Sequence, residues 1–415
     1  MSGLSRSWNL ALGATAVVVL VGVVWAGRAA AQAGAGQASG TKPPAASRTA
    51  LTSEQAFKNI QALKGIPVDD FMGTMGIMSA ALGFDCAECH KGAGTDTVDW
   101  AFDTPRKRTA RRMVEMVATI NRTNFGGRQL VTCWSCHRGR DRPMVTPALE
   151  TVYGTPTAEM DDVVTPARGQ LSADQVIDKY IEALGGAQRV SSVTSYVAKG
   201  TSVGFGGFGG EGQVQIFAKA PNQRTMIIEF KEAGRDAAVR SFDGRIGWIR
   251  TPLSVLGEYE LSGGELDGAN VDAQLSFPGQ IRKALTSFRI GSPTTISDLP
   301  APSSQTPGQP IEMIGQEREV NVVQGTGPRG TLATLYFDTK SGLLLRMVRY
   351  GTSPIGRVPT QIDYGDYRDV GGVRFPFRMT FAWLDGRDAI QLTEVQTNVP
   401  IDAARFGRPA ARTGR

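Results

Sequence analysis

The chain has 415 residues, 41% of them hydrophobic and 20% charged, with 50 Gly and 22 Pro. That is long enough for two or three domains, and too evenly mixed for a disordered chain or a polytopic membrane protein. The net charge of +6 arises from 45 Lys and Arg against 39 Asp and Glu. It is spread along the sequence rather than gathered into a basic stripe, so nucleic acid is not an expected partner. A scarcity is more informative: the 4 Cys and 2 His all fall in Cys86-Ala87-Glu88-Cys89-His90 and Cys133-Trp134-Ser135-Cys136-His137.

In chain order, the apolar run Leu10 to Ala26 lies behind Arg6 and ahead of Ala29-Ala30-Ala31-Gln32, so residues 1–31 read as a signal peptide or a membrane anchor. At 17 residues the run is slightly long for a cleaved signal core and near the lower limit for a spanning helix, and both readings stand. The remainder is expected to be periplasmic, tethered to the outer face of the cytoplasmic membrane if the helix is retained. No cysteine follows the run for lipid attachment there. In an oxidising compartment the four thiols would form disulfides unless otherwise engaged. Residues 32–50, rich in Gly, Ala, Ser and Pro, read as a linker.

Residues 51–152 form a first domain with two legible helices. Val68, Phe71, Met72, Met75, Met78 and Leu82 recur at helical spacing, with Asp69 and Asp70 in the first turn and Gly83 to stop it. A second helix starts near Pro105, carries Ala110, Met113, Val117 and Ile120 on one face, and ends at Asn124 to Gly127. Each helix ends shortly before one cysteine motif. Residues 153–170 lapse into a second linker, and residues 171–415 form the next domain. It opens with a helix capped by Ser172 and Gln175, bearing Ile177, Tyr180, Ile181 and Leu184. The period then drops to two. Strands are expected at 193–199, 214–218, 224–230, 246–249, 320–323, 332–337, 343–350, 375–381 and 390–399. Asp243-Gly244 and Lys340-Ser341-Gly342 join neighbouring strands as hairpins, which implies antiparallel pairing. Residues 300–310 read as a surface loop rich in Pro, Ser and Gln.

A C-x-x-C-H segment suits covalent haem attachment because two thiols three positions apart on one turn reach both vinyl groups while the adjacent imidazole points at the iron. Cys86, Cys89, Cys133 and Cys136 are thus the expected attachment residues of two haem c groups, and His90 and His137 the expected axial ligands. A zinc site would leave ligands surplus, and neither motif sits at the strand-to-helix junction that thioredoxin-type exchange uses. With no third histidine, the remaining soft sixth ligand is methionine: Met75 or Met78 before the first motif, Met113 or Met116 before the second. Iron held by His and Met has no open position, which favours one-electron transfer over peroxidase chemistry.

Several short segments resemble the first two-haem half of the cytochrome c subunit of photosynthetic reaction centres. They are Thr74-Met75, Ala110-Arg111-Arg112-Met113-Val114-Glu115-Met116, Ile120-Asn121 with Thr123-Asn124, and Val131-Thr132-Cys133 through Cys136-His137-Arg138-Gly139. The resemblance implies Met75 as axial partner of the iron held by His90 and Met113 as that of the iron held by His137, leaving Met78 and Met116 as core residues. That family carries four haems. The histidine it places between the second helix and the second motif is missing here, and the other two-haem half is replaced by the β domain. Arg111, Arg112 and Arg138 are candidates to pair with haem propionates, although a solvated basic face would serve them equally well.

The C-terminal part, with its leading capped helix and Tyr336-Phe337-Asp338 running through Lys340-Ser341-Gly342 into Leu343-Leu344-Leu345, loosely resembles the half-barrel of periplasmic lipoprotein carriers. That resemblance implies a concave apolar face able to hold a lipid; the alternative is a sheet that serves structure or docking. The glycine-rich run 204–209 satisfies a dinucleotide fingerprint in letters but precedes a strand rather than a helix, so it reads as a hairpin loop. With both histidines committed, no Ser/His/Asp or Cys/His arrangement remains.

The expected architecture is multidomain α + β: a small helical di-haem domain, then a mainly antiparallel, half-barrel-like β domain with one leading helix. The expected activity is electron transfer between donor and acceptor proteins, among them a photosynthetic reaction centre or another membrane redox complex, and no enzymatic turnover. Two readings stand against it: a periplasmic lipid or lipoprotein binder with an accessory haem domain, and an enzyme in which one methionine leaves its iron.

Overall fold

The computed structural model describes residues 50–143, 145–146, 164, 166–204, 210–230, 236–251, 256–297, 317–384 and 386–409. The leader at 1–31, the linker at 32–49, most of the linker at 153–170, the glycine loop 205–209 and the loop at 300–310 lie outside the described residues.

Five helices make up the N-terminal region: α1 (Ser53–Ala56), α2 (Val68–Leu82), α3 (Cys86–Cys89), α4 (Pro105–Asn124) and α5 (Cys133–His137). The ends of α2 and α4 fall where the sequence places them. Gly83 closes α2 in the left-handed region at φ 68. A Cβ there would also stand 2.5 Å from the Gly139 carbonyl oxygen, so only glycine serves at this position. Pro105 occupies the first turn of α4, and Thr104 caps it by accepting from the Lys107 N–H. The buried stripe of α4 is Val114, Val117 and Asn121, rotated from the expected Ala110, Met113, Val117 and Ile120. The rotation has a polar cause that counting apolar residues cannot see. Asn121 turns inward, donating to the Val131 carbonyl at 2.7 Å and accepting from the N–H groups of Leu130 and Val131 at 3.1 and 2.9 Å.

The β region opens with α6 (Ala173–Ala183), whose Ser172–Gln175 capping box is formed, and α7 (Ala187–Ser192). Six strands follow: β1 (Ser195–Val203), β2 (Glu211–Lys219), β3 (Gln223–Phe230), β4 (Ala238–Phe242), β5 (Gly247–Arg250) and β6 (Glu258–Glu260). Two crossover helices, α8 (Gly263–Leu275) and α9 (Ile281–Ala284), lead to β7 (Thr286–Ile296), β8 (Arg318–Thr326), β9 (Leu332–Asp338) and β10 (Leu344–Ser353). The last strands are β11 (Gly356–Val370), β12 (Val373–Trp383) and β13 (Gly386–Thr397).

All 13 strands join one sheet in the order β6-β5-β4-β3-β2-β1-β13-β12-β11-β10-β9-β8-β7. The chain meanders from β1 outward to β6, crosses through α8 and α9 to the far edge, and meanders back until β13 pairs with β1, Tyr196 opposite Thr397. The named pairings are antiparallel, and the sheet stays open between its edge strands β6 and β7, as the α + β reading expects. A short helix, α7, follows the leading α6, and α8 and α9 lie between the two meanders. Three glycines in α8 and the Pro359 and Gly365 within β11 hide these elements from propensity.

The main core lies where the helices meet the sheet, joining Ile177 and Tyr180 of α6 and Val271 of α8 to Ile216, Leu335, Phe337, Met347 and Phe377. What space remains, among Tyr180, Tyr196, Tyr364, Tyr367 and Phe375, amounts to about 80 Å³. Strand β10 is buried almost throughout, and its Arg349 reaches α8, donating to Glu265 at 3.3 Å and Asp272 at 3.4 Å. A Cβ at Gly268 would sit 2.2 Å from that guanidinium, which is why α8 tolerates a poor helix former there. Burial alone would raise the Glu265 carboxyl, but Arg349 and Arg240 outweigh it and hold it down at about 2. Among the described residues no helix is long and apolar enough to cross a membrane.

The helical and β regions belong to one compact unit, Thr49–Arg415. The join is made chiefly by α2. Asp69, buried in its first turn, accepts from both the N–H and the hydroxyl of Ser262, each at 2.6 Å. One turn on, Gly73 lets the helix approach Val358 of β11. Ile77 then packs on Ile355 in the turn between β10 and β11.

Candidate haem attachment sites

Each cysteine pair lies on a single helical turn that is capped by the residue before it. Asp85 caps α3, its carboxylate accepting from Ala87 N at 2.8 Å and Glu88 N at 3.3 Å. Thr132 caps α5 by accepting from Ser135 N at 3.3 Å, while the Ser135 hydroxyl accepts from Thr132 N at 3.0 Å. Residues i and i+3 of one turn share a face, so Cys86 with Cys89 and Cys133 with Cys136 each present two sulfurs to one side. Cys86 and Cys136 are exposed, and Cys89 and Cys133 are half-buried. Burial raises the thiol pKa of Cys89 and of Cys133, which keeps both protonated and removes the activated thiolate that disulfide exchange needs.

The imidazoles follow directly. His137 ends α5, with its Nδ1 3.0 Å from the Arg140 carbonyl. With the proton on Nδ1, that contact leaves the Nε2 lone pair for a metal. His90 lies edge-on to Trp100 with ring centroids 5.0 Å apart, and its Nδ1 is buried without a hydrogen-bond partner among the described residues. Burial, aided by the nearby Lys107 ammonium, lowers its pKa and keeps the ring neutral, the state a metal ligand requires.

Whether these residues fit a porphyrin can be tested on the packing around them. In the helical region the buried apolar side chains reduce to Val68, Ile77, Ala81, Val114 and Val117, while Leu51, Phe102, Met116, Leu130 and Trp134 are exposed. Trp134 and Leu130, beside the second motif, are 53% and 56% exposed. A region with so little core and so much bare apolar surface next to its paired thiols lacks a large flat apolar group, and covalent haem supplies one. The residues fit covalent haem c. Among the described residues no three His, Cys, Asp or Glu side chains gather as a metal-binding group, so the two motifs are not halves of one four-ligand site.

The helices are interleaved with the motifs. α4 packs on α3: the Thr104 hydroxyl donates to the Cys89 carbonyl at 2.8 Å, and Arg106 bonds the Glu88 carbonyl at 3.2 Å. Lys107 donates to the carbonyls of Trp100 and Phe102 at 2.9 and 3.0 Å, fixing the loop over His90. α2 in turn packs on α5, and the Gly139 N–H donates to Ala81 at 2.9 Å. Met75 and Met113 are both half-buried on these helices. Met78 packs beside Cys133, in keeping with a core position. Met116 is 44% exposed on the outer face of α4, which corrects its reading as core: the rotation that buries Asn121 turns position 116 outward. Arg111 is likewise taken, by Asp103 at 2.5 Å and the Asn59 carbonyl, whereas Arg112 and Arg138 are exposed.

Sequence reasoning missed the β-region side chains that reach the second motif. Ile355, buried between β10 and β11, joins Ile77 and Val114 in a cluster with Cys133, Met78, Val358 and Leu384. Gln129, just before that motif, donates to the Ser353 carbonyl at 2.9 Å. The capping residues Asp85 and Thr132 were readable, since each is a preferred cap type immediately before its motif.

Residues 24–175 match the family model of the photosynthetic reaction centre cytochrome C subunit, a c-type cytochrome family that implies haem c. The match covers less than half of the chain. No curated protein matches the sequence. Among solved structures, a LolA superfamily protein from Nitrosomonas europaea is 13% identical with a TM-score of 0.35, over 58% of this chain and 99% of that one. A DUF1329 family protein from Desulfovibrio piger is 12% identical with a TM-score of 0.34, over 56% of this chain and 96% of that one.

Proposed function

We propose that this chain is an exported di-haem c-type cytochrome that relays single electrons at the outer face of the cytoplasmic membrane, between a donor and an acceptor such as a reaction centre or another membrane redox complex. The observation that carries the proposal is the pair of capped C-x-x-C-H turns, which hold every cysteine and every histidine of the chain. When bound, the two haems supply reversible one-electron exchange. The protein's part is to hold and shelter them. Cys86 and Cys89 would hold one group and Cys133 and Cys136 the other, while His90 and His137 would each offer an imidazole nitrogen. Met75 and Met113 are the proposed second axial ligands, assigned by resemblance to the reaction centre family. Iron held by both His and Met would favour one-electron transfer, so we read the protein as an electron carrier rather than an enzyme.

The lipid-binding reading finds little room. A space of about 80 Å³, lined by aliphatic and aromatic side chains with four tyrosines among them, falls well below the roughly 300–1,000 Å³ of small-molecule pockets. The deciding experiment is the intact mass and the reduced spectrum of the exported protein. Two covalent, low-spin haems per chain are expected; a colourless chain with four reactive thiols would reject the proposal.

A further inference from the structure

Side chains of the β region reach the second attachment site. At the first motif, the bonds to Glu88, Cys89 and the loop over His90 come from Thr104, Arg106 and Lys107, all within the helical region. At the second motif, Cys133 shares an apolar cluster with Ile355, Val358 and Leu384. Ile355 is 1% exposed. The turn that carries it is held by Gln129 bonding Ser353, and Gly356 runs close to the helical region, so that a Cβ added there would stand 3.3 Å from Ile77 and 3.8 Å from Thr132. A haem bonded to the Cys133 sulfur has its attachment edge at this cluster, because a thioether leaves no room for separation.

Resting on the di-haem reading above, we propose that the β10–β11 turn, with Leu384 from the β12–β13 connection, is a cap over the second haem that raises its reduction potential. The physical reason is desolvation. Ferric haem carries one more positive charge than ferrous haem, and replacing water at its edge with aliphatic side chains disfavours the more charged state. Ile355, Val358 and Leu384 are positioning residues that act through solvent exclusion; none of them is an iron ligand.

Optical potentiometric titration of the full chain tests this. A Cys86→Ser/Cys89→Ser variant, which keeps only the second haem, identifies which component belongs to which site. Leu384→Gln and Val358→Thr change polarity at half-buried positions and avoid the cavity that Ile355→Ala would leave. The expected result is a negative shift of the second haem's potential in both variants, with the first haem's unchanged. Equal shifts at both haems, or none at the second, would overturn the cap while leaving the electron-carrier reading intact. A wild-type chain without covalent haem would overturn both.

Discussion

The first and second C-x-x-C-H turns share their spacing and their capping, yet one is clamped by polar bonds from its own neighbourhood and the other is seated on apolar side chains more than two hundred residues away. Thr104, Arg106 and Lys107 hold the first through backbone carbonyls, all within 20 residues of it. Ile355 and Leu384 support the second, and Gln129 reaches Ser353 across a separation of 224 residues. Local sequence can therefore specify where a prosthetic group attaches while the environment of that group is left to the fold. A duplicated motif does not make duplicated sites.

The largest expected effects come from the cysteines. Cys86→Ser/Cys89→Ser and Cys133→Ser/Cys136→Ser should each remove one haem from the intact mass. The second pair should also lower the melting temperature of the β region, since that motif packs against it. Equal destabilisation by both pairs would erase the contrast.

Next come the methionines. Met75→Ala and Met113→Ala should each open one iron, making it high-spin, able to bind carbon monoxide and lower in potential; unchanged spectra would reject the axial assignment. Met78→Ala, packed beside Cys133, should cost about 1–2 kcal/mol in urea unfolding, less than a fully buried Met→Ala. Met116→Ala, on the exposed face, should stay within about 0.5 kcal/mol.

The join between regions offers a smaller effect. Asp69→Ala removes the acceptor of two bonds from Ser262, leaves that buried N–H unsatisfied, and should cost about 1–3 kcal/mol. If the helical region unfolded independently of the sheet, denaturation followed at the haem bands and in the far ultraviolet would diverge already in the parent chain.

The smallest expected effect is a pH dependence at the same join. Burial, with Asp69 and Glu265 nearby, raises the Asp70 carboxyl from its ordinary 3.8 to about 6. The folded chain then binds this proton more tightly than the unfolded one, so stability falls as pH rises through that window. Asp70→Asn should flatten the slope and stabilise the protein above pH 6. Glu265 has the opposite sign: its contribution is present above 4.5 and is lost as pH falls toward about 2. A parent protein with no loss of stability between pH 4 and 6 would show that Asp70 is better solvated than its position beside Glu265 implies.

Much of the helical region was legible because its determinants are local. Proline and glycine fix the ends of α2 and α4, and apolar spacing reveals their length. Most strands were legible from alternation, but β11 was obscured by Pro359 and Gly365, and α8 by its glycines, of which Gly268 admits Arg349. The exposed side of α4 was misjudged for a similar reason: Asn121 is buried to satisfy the chain at Leu130 and Val131, a need visible only once that loop is in place.

By itself the sequence determined the chemistry of attachment, since two thiols and an imidazole within five consecutive residues form a haem-binding unit on one turn without help from elsewhere. It also determined the class of the β region, because alternation and short turns permit little but antiparallel pairing. Only the tertiary structure decided that β13 returns to β1, that α8 carries the chain across the sheet, and that Ile355 comes to rest beside Cys133. Those outcomes depend on contacts between residues far apart in the chain, where no local period or spacing records which apolar surface will meet which.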